Sequence, residues 1–332
     1  MKIISSYFGN RILKHVASDM KQLASEGFTG VVHTLTENDL KYYARSFQDY
    51  VSASHDAGLD VDIDPWGVGM VFGGEAFSNW IAENPDQMQI SRDGSPKPLA
   101  CLNSDKFRSY MHTWIDCAKD SGAEGLFWDE PHLYIPRRND PENTWTCTCP
   151  KCRELFHEKF GHDFPNTFND EVIEFQGWTI KSFLQEMLLR GKDAGMRNTV
   201  CILPKEFVRH DPLKWEEVAG LKGVDIISTD PYWFISGSDV ESFVKGYSRL
   251  IKQLADSNGI EPQIWIQGFR VPSGRESELK TAIETAYSEG IRNLAIWGFE
   301  ACGQMSHLAC DDPGLVWKTA VKAFGELSKN RG

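Results

Sequence analysis

The chain is short of positive charge: 35 Lys and Arg stand against 47 Asp and Glu in 332 residues, a formal net charge of -12 with a pI near 5.3. That balance excludes sequence-independent nucleic-acid binding, which needs a basic surface, and argues against docking on anionic membranes. No apolar run approaches the length that crosses a bilayer. The opening MKIISSYFGNR has one Lys and a short apolar run broken by Gly and Arg, so no secretory leader is expected there. Eight cysteines are too few and too scattered for a disulfide framework. A cytoplasmic protein with reduced thiols is the expectation.

Several catalytic signatures are also missing. There is no G-x-S-x-G elbow and no H-E-x-x-H. No glycine-rich fingerprint follows the first strand-like run, which disfavours an open dinucleotide-binding sheet. Histidines near strand ends are limited to His33 and His132, too few for a barrel metallohydrolase.

What is present is a regular alternation of strand-like and helical segments. Strands are expected over 3–8, 30–35, 59–64, 125–129, 199–203, 224–230, 263–267 and 293–299. Helical spacing fills the gaps, as with Ile12, Val16, Met20 and Leu23. Ser104 is a natural N-cap for the helix that precedes the fourth strand. Eight β-α units imply parallel pairing, right-handed crossovers and a closed (β/α)8 barrel in a single domain over 1–332. Long loops are expected after strands three and four, the second of them an insertion at about 131–152.

Barrels of this kind carry function at the C-terminal ends of their strands. Those ends hold His33 after strand two, and Asp64 and Trp66 after strand three. Asp129 and Glu130 end strand four. Asp230, Tyr232 and Trp233 follow strand six, Gln267 ends strand seven, and Trp297 and Glu300 lie at strand eight. Rim carboxylates beside tryptophans suit glycoside hydrolysis: one acid protonates the leaving oxygen, and another attacks the anomeric carbon or activates water. Aromatic faces stack on sugar C–H faces. Strand-end acids also serve as helix caps and ion pairs, so no single one identifies a site.

Adjacent strand residues point opposite ways. Asp129 and Glu130 therefore share a job only if the backbone turns between them, and Glu130, restricted by Pro131, is expected to face the pocket. Asp230 is the preferred second carboxylate, with Glu300 or Asp129 next. Gln267, Trp66, Tyr232, Trp233, Trp297, His33 and Asp64 complete the expected substrate contacts.

Just beyond strand four stand Cys147, Cys149 and Cys152. Structural zinc takes four soft ligands, so a fourth must come from elsewhere, and Cys101 is the nearest candidate. Cys101-Leu102-Asn103-Ser104 is followed by Arg108 and Tyr110, then by Trp128-Asp129-Glu130. Cys147-x-Cys149-x-x-Cys152 comes next and leads into Arg153, Phe156 and Phe160-Gly161. Over 101–161 this series resembles family-42 glycoside hydrolases, β-galactosidases built on a (β/α)8 barrel.

The resemblance implies a structural, non-catalytic zinc on Cys101, Cys147, Cys149 and Cys152, and an acid/base at Glu130. It departs in two places. The family nucleophile is a Glu ending strand seven, where this chain has Gln267, and the family's Asn-Glu pair on strand four is here Asp-Glu. Double displacement with a strand-seven nucleophile therefore does not carry over. The family's accessory domains have no counterpart after the eighth helix.

The expectation is a carbohydrate-cleaving enzyme. The rivals are a barrel that binds carbohydrate without turnover, and a lyase or isomerase acting on acidic sugars. The last needs rim cations, for which only Lys205 and Arg270 are positioned.

Overall fold

The computed structural model describes residues 1–329 apart from Gly9, Glu75, Arg138, Glu142 and Asp211. Eight parallel strands form a closed ring: β1 (Lys2–Tyr7), β2 (Gly30–Thr34), β3 (Asp60–Asp64), β4 (Gly125–Asp129), β5 (Arg197–Ile202), β6 (Ile226–Thr229), β7 (Glu261–Gln267) and β8 (Asn293–Trp297). Ser5 is in register with Val31 of β2 on one side and Ile296 of β8 on the other, which closes the barrel. The chain is a (β/α)8 barrel, as the alternation of segments implies.

Strand periodicity sorts the side chains. On β4, Leu126 and Trp128 pack outward among the helices, whereas Phe127 points into the lumen with Ile4, Val32, Cys201, Trp265 and Trp297. The lumen is layered. An Asp62–Arg197 ion pair at 2.7 Å and a Gln263–Asn293 hydrogen bond at 3.1 Å fill its N-terminal end. Phe127, Trp265 and Trp297 form the middle, with ring centroids 5.0 and 5.6 Å apart. Acids crown it, since Asp64, Asp129 and Asp230 share the inward parity of these rows.

Helices seal the outside. Leu13–Ser25 buries Val16, Met20 and Leu23. Asp105–Asp120 is capped by Ser104, whose Oγ accepts from the Phe107 N–H at 3.1 Å. Asp170–Asp193 is capped by Asn169 in the same way. The helical segment after β2 is split in two, Glu37–Tyr42 and Ala44–Asp56, because Tyr43 leaves helical geometry at φ -125°, ψ 4°.

The connection after β3 is not the irregular loop its Gly and Pro content implies. It carries a short helix, Asn79–Glu83, and an antiparallel hairpin of Met88–Ile90 with Pro96–Ala100. Ser91 bridges to Thr146, and the Thr148 N–H donates to the Ile90 carbonyl at 2.8 Å. The hairpin thus ties the β3 connection to the cysteine loop after β4.

Candidate active site

Three acids line an open cleft of about 380 Å³ at the C-terminal end of the barrel, together with Gly74, Leu203, Phe207, Tyr232, Ile235, Phe269, Arg270 and Trp297. Asp129 arrives on the inward row of β4. By alternation Glu130 would point away, but it takes a left-handed φ of 46°, a region costly for a side chain with a Cβ. That turn swings its carboxylate back beside Asp129. The neighbouring backbone requires glycine: a Cβ on Gly73 would sit 2.3 Å from Asp129 Oδ2 and 3.2 Å from Glu130 Oε2. The Gly73 N–H also donates to the Asp129 carbonyl at 2.9 Å. Glu130 is held from both sides, its N–H on the Cys201 carbonyl at 3.1 Å and its carbonyl 2.6 Å from His132 Nδ1.

Asp230 completes the cluster. It is buried, hydrogen-bonded to the Glu130 carboxyl, and pushed well above the usual carboxylate range by burial first and by the Glu130 and Asp129 charges next. The Cys201 thiol points at Asp230 Oδ1 from 3.9 Å, and burial beside these acids keeps it protonated.

Asp64 lies beneath them, fully buried, with neither oxygen finding a hydrogen-bond partner among the described residues. Desolvation, then the Asp129 and Glu130 charges, raise its pKa strongly. The Tyr232 phenol is likewise pushed up, by burial and then by Asp230 and Asp129, and stays a donor.

The remaining expected residues are distributed differently. Trp297 lines the acid cleft, whereas Trp66 and Glu300 line a second cleft of about 620 Å³ with Tyr7, Asp19, Phe299 and Met305. Phe8 separates the two, its ring stacked between Trp66 and Trp297 at 5.3 and 5.6 Å. Glu300 accepts from Gln22 Nε2 at 3.2 Å on that far side and does not join the acid cluster.

Gln267 is fully buried behind the cleft. Its Oε1 accepts from the Phe234 N–H and its Nε2 donates to the Phe269 carbonyl, both at 3.1 Å, so it braces the loops after β6 and β7. Trp233 is buried, with its indole N–H on Glu278 at 2.9 Å, and forms no sugar platform. His33 is outside the cleft as well. It has the outward parity of Val31 and meets Ser54 Oγ of Ala44–Asp56 at 2.9 Å, and burial lowers its pKa to about 3. Phe8, Phe207, Phe269 and the two glycines were not anticipated. Phe8 and Phe269 continue the inward rows of Ile4 and Trp265, a signal that parity carries just past each strand.

The cysteines converge as expected. The sulfurs of Cys101, Cys147, Cys149 and Cys152 all lie within 4.8 Å of one another, and all four residues are buried. Cys101 Sγ is 3.6 Å from that of Cys149 and 3.5 Å from that of Cys152. A tetrahedron of thiolates about 2.3 Å from zinc has edges of about 3.8 Å, so four soft donors at these spacings fit such an ion. Asn103 Nδ2 donates to Cys152 Sγ at 3.3 Å, an outer contact of the kind that orients thiolate ligands. Cys149 occupies the N-cap position of the helix Pro150–Phe160, whose N-terminus favours thiolate.

No family model and no curated protein sequence matches the chain. Solved structures do resemble it. The catalytic domain of a β-amylase from Paenibacillus polymyxa aligns over 100% of this chain and 99% of its own at 9% identity, with a TM-score of 0.69. A GH5_18 protein from Bifidobacterium longum covers 100% and 79% at 14% identity and 0.63. The endo-β-1,4-mannanase from Thermotoga petrophila covers 100% and 77% at 9% identity and 0.59. At these identities the likeness is one of fold.

Proposed function

We propose that the chain is a glycoside hydrolase whose general acid/base is Glu130, working from a proton it shares with Asp230. The observation that carries this reading is the Glu130–Asp230 carboxyl contact, open to a cleft at the barrel's C-terminal end. Asp230, buried and reluctant to ionise, keeps a proton in the pair where an exposed acid would lose it. Glu130 passes that proton to the leaving oxygen and later withdraws one from the incoming water. Trp297, Phe269 and Tyr232 give the cleft an aromatic lining suited to a sugar ring.

Support also comes from the resemblance over 101–161 and from the β-amylase and the endo-β-1,4-mannanase among the fold neighbours. Arg270, the one cation lining the cleft among the described residues, is engaged by the His307 carbonyl at 3.0 Å. That disfavours an acidic sugar as substrate.

The four cysteines are proposed to hold a structural zinc that pins the loop after β4 and takes no part in the chemistry. The test of the catalytic reading is hydrolysis of a glycoside panel by the wild-type chain and by Glu130→Gln. Turnover by the first and none by the second, with equal melting temperatures, is expected. An active Glu130→Gln contradicts the assignment.

A further inference from the structure

Hydrolysis at an anomeric carbon needs an acid at the leaving oxygen and a nucleophile, or a base-activated water, on the opposite face of the ring. Among the described residues, the cleft supplies the first and withholds the second. Its acids form one contiguous patch: Asp129 and Glu130 converge over Gly73, and Glu130 touches Asp230. A hydrogen-bonded pair is far closer than the ~5–5.5 Å of nucleophile and acid in retaining enzymes or the ~6.5–9.5 Å of inverting ones.

Across the ring of strands, β8 lies four places from β4, and it brings Trp297 to the cleft. At the end of β7 stands Gln267, buried and bonded on both sides. Glu300 serves the other cleft. Among the described residues no carboxylate faces the acid patch from across the cleft.

On the reading that Glu130 is a glycosidase acid, we propose that the nucleophile comes from the substrate: the chain cleaves β-glycosides of 2-acetamido sugars. In such a sugar the acetamido carbonyl oxygen on C2 attacks C1 from the face opposite the leaving group. The C1–O bond breaks, its electron pair stays with the leaving oxygen, and that oxygen takes the proton held by the Glu130–Asp230 pair. The product of this step is a fused oxazolinium ion. Asp129, turned onto the same side as Glu130, accepts the amide N–H and balances the positive charge as it forms. Water then gives a proton to Glu130 and attacks C1, the ring oxygen–C1 bond of the oxazoline breaks, and the acetamido group is restored.

The left-handed turn at Glu130 is what makes this division of labour available. It brings two consecutive carboxylates to one place, one for the leaving group and one for the neighbouring amide. Tyr232 lines the same cleft beside Asp129 and Asp230 and is placed to donate to the acetamido carbonyl.

The experiment compares p-nitrophenyl β-glycosides, and the matching β-linked disaccharides, of N-acetylglucosamine and N-acetylgalactosamine with those of glucose, galactose and mannose. Turnover confined to the 2-acetamido compounds is expected, with Asp129→Asn lowering kcat by about a hundredfold or more while the melting temperature holds. Progressive fluorination of the acetyl group should slow the wild-type chain steeply, and a fused thiazoline analogue should bind it more tightly than it binds Asp129→Asn. Cleavage of the plain hexosides with a trapped covalent sugar on the chain would overturn this proposal and leave the glycosidase reading intact. No turnover of either set would overturn both.

Discussion

Two clusters of like ionisable groups lie on either side of the segment from Gly125 to Cys152, and they are built to opposite ends. The thiols of Cys101, Cys147, Cys149 and Cys152 are sealed among Phe156 and Phe175, with sulfurs at the spacing of a tetrahedral ligand set. The carboxyls of Asp129, Glu130 and Asp230 open onto a cleft, with Asp230 in contact with the Glu130 carboxyl. A closed cluster can be neutralised once, by a metal, and then serves as a staple. An open cluster keeps its mutual repulsion, which together with burial raises the Asp230 pKa above that of a lone carboxyl. Burial of like charges thus marks structure when the site is shut and chemistry when one side is left for a ligand.

The two clusters should differ most at Glu130. Replacing it by Gln should lower kcat by roughly 10²–10⁴-fold on a cleaved glycoside and leave the melting curve in place. The thiol cluster should behave in reverse. Stripping metal with a chelator, or replacing Cys149 by Ser, should lower Tm by roughly 10 °C, with activity of the still-folded fraction unchanged at low temperature. Equal losses of rate and stability in both experiments would erase the distinction.

Asp230→Asn sharpens the carboxyl side. Because Asp230 is shifted upward, the shared proton is present below the raised pKa and lost as pH rises through it. The wild-type rate should therefore fall on an alkaline limb above the ordinary carboxylate range, and the Asn variant should lose kcat and shift that limb. Gln267→Glu tests the departure from the family pattern. It exchanges the donor to the Phe269 carbonyl for an acceptor, so it should destabilise the fold by about 1–3 kcal/mol and confer no new double-displacement activity.

Asp64→Asn should act in the other direction. A buried acid with a raised folded-state pKa contributes its full stability only below the unfolded carboxylate value, and that stability is lost as pH rises through the folded value. The variant should therefore gain about 1–3 kcal/mol at pH 7–8 and little near pH 4, measured by urea unfolding.

Much of this arrangement was legible in the residues. The apolar-rich runs ending in Asp64, Asp129-Glu130 and Asp230 mark three barrel strands and their acids together. The cysteine spacing pointed to a shared site, and the convergence of Cys101 bears that out.

The losses have physical causes. Parity along β2 sends His33 outward with Val31 although it lies near the strand end. Trp297 ends β8 on the inward row of Ala295 and lines the cleft, whereas Trp233 opens a short helix beyond β6, where strand parity no longer places a side chain. The positive φ of Glu130 belongs to no local preference of Glu. It exists because Cys201, His132 and Gly73 hold the turn from three different segments. The hairpin at Met88–Ile90 and Pro96–Ala100 was hidden because strands so short, with a proline in one, carry little periodic signal.

Glu130 is proposed as the acid/base of an open carboxyl cluster. The most direct test of that role is anion rescue of Glu130→Ala on an aryl glycoside whose leaving group needs no protonation. The account predicts that the first step proceeds without Glu130, that the second stalls, and that added azide restores turnover with a β-glycosyl azide as product. Turnover by the alanine variant without azide, or no response to azide in a folded variant, would contradict it.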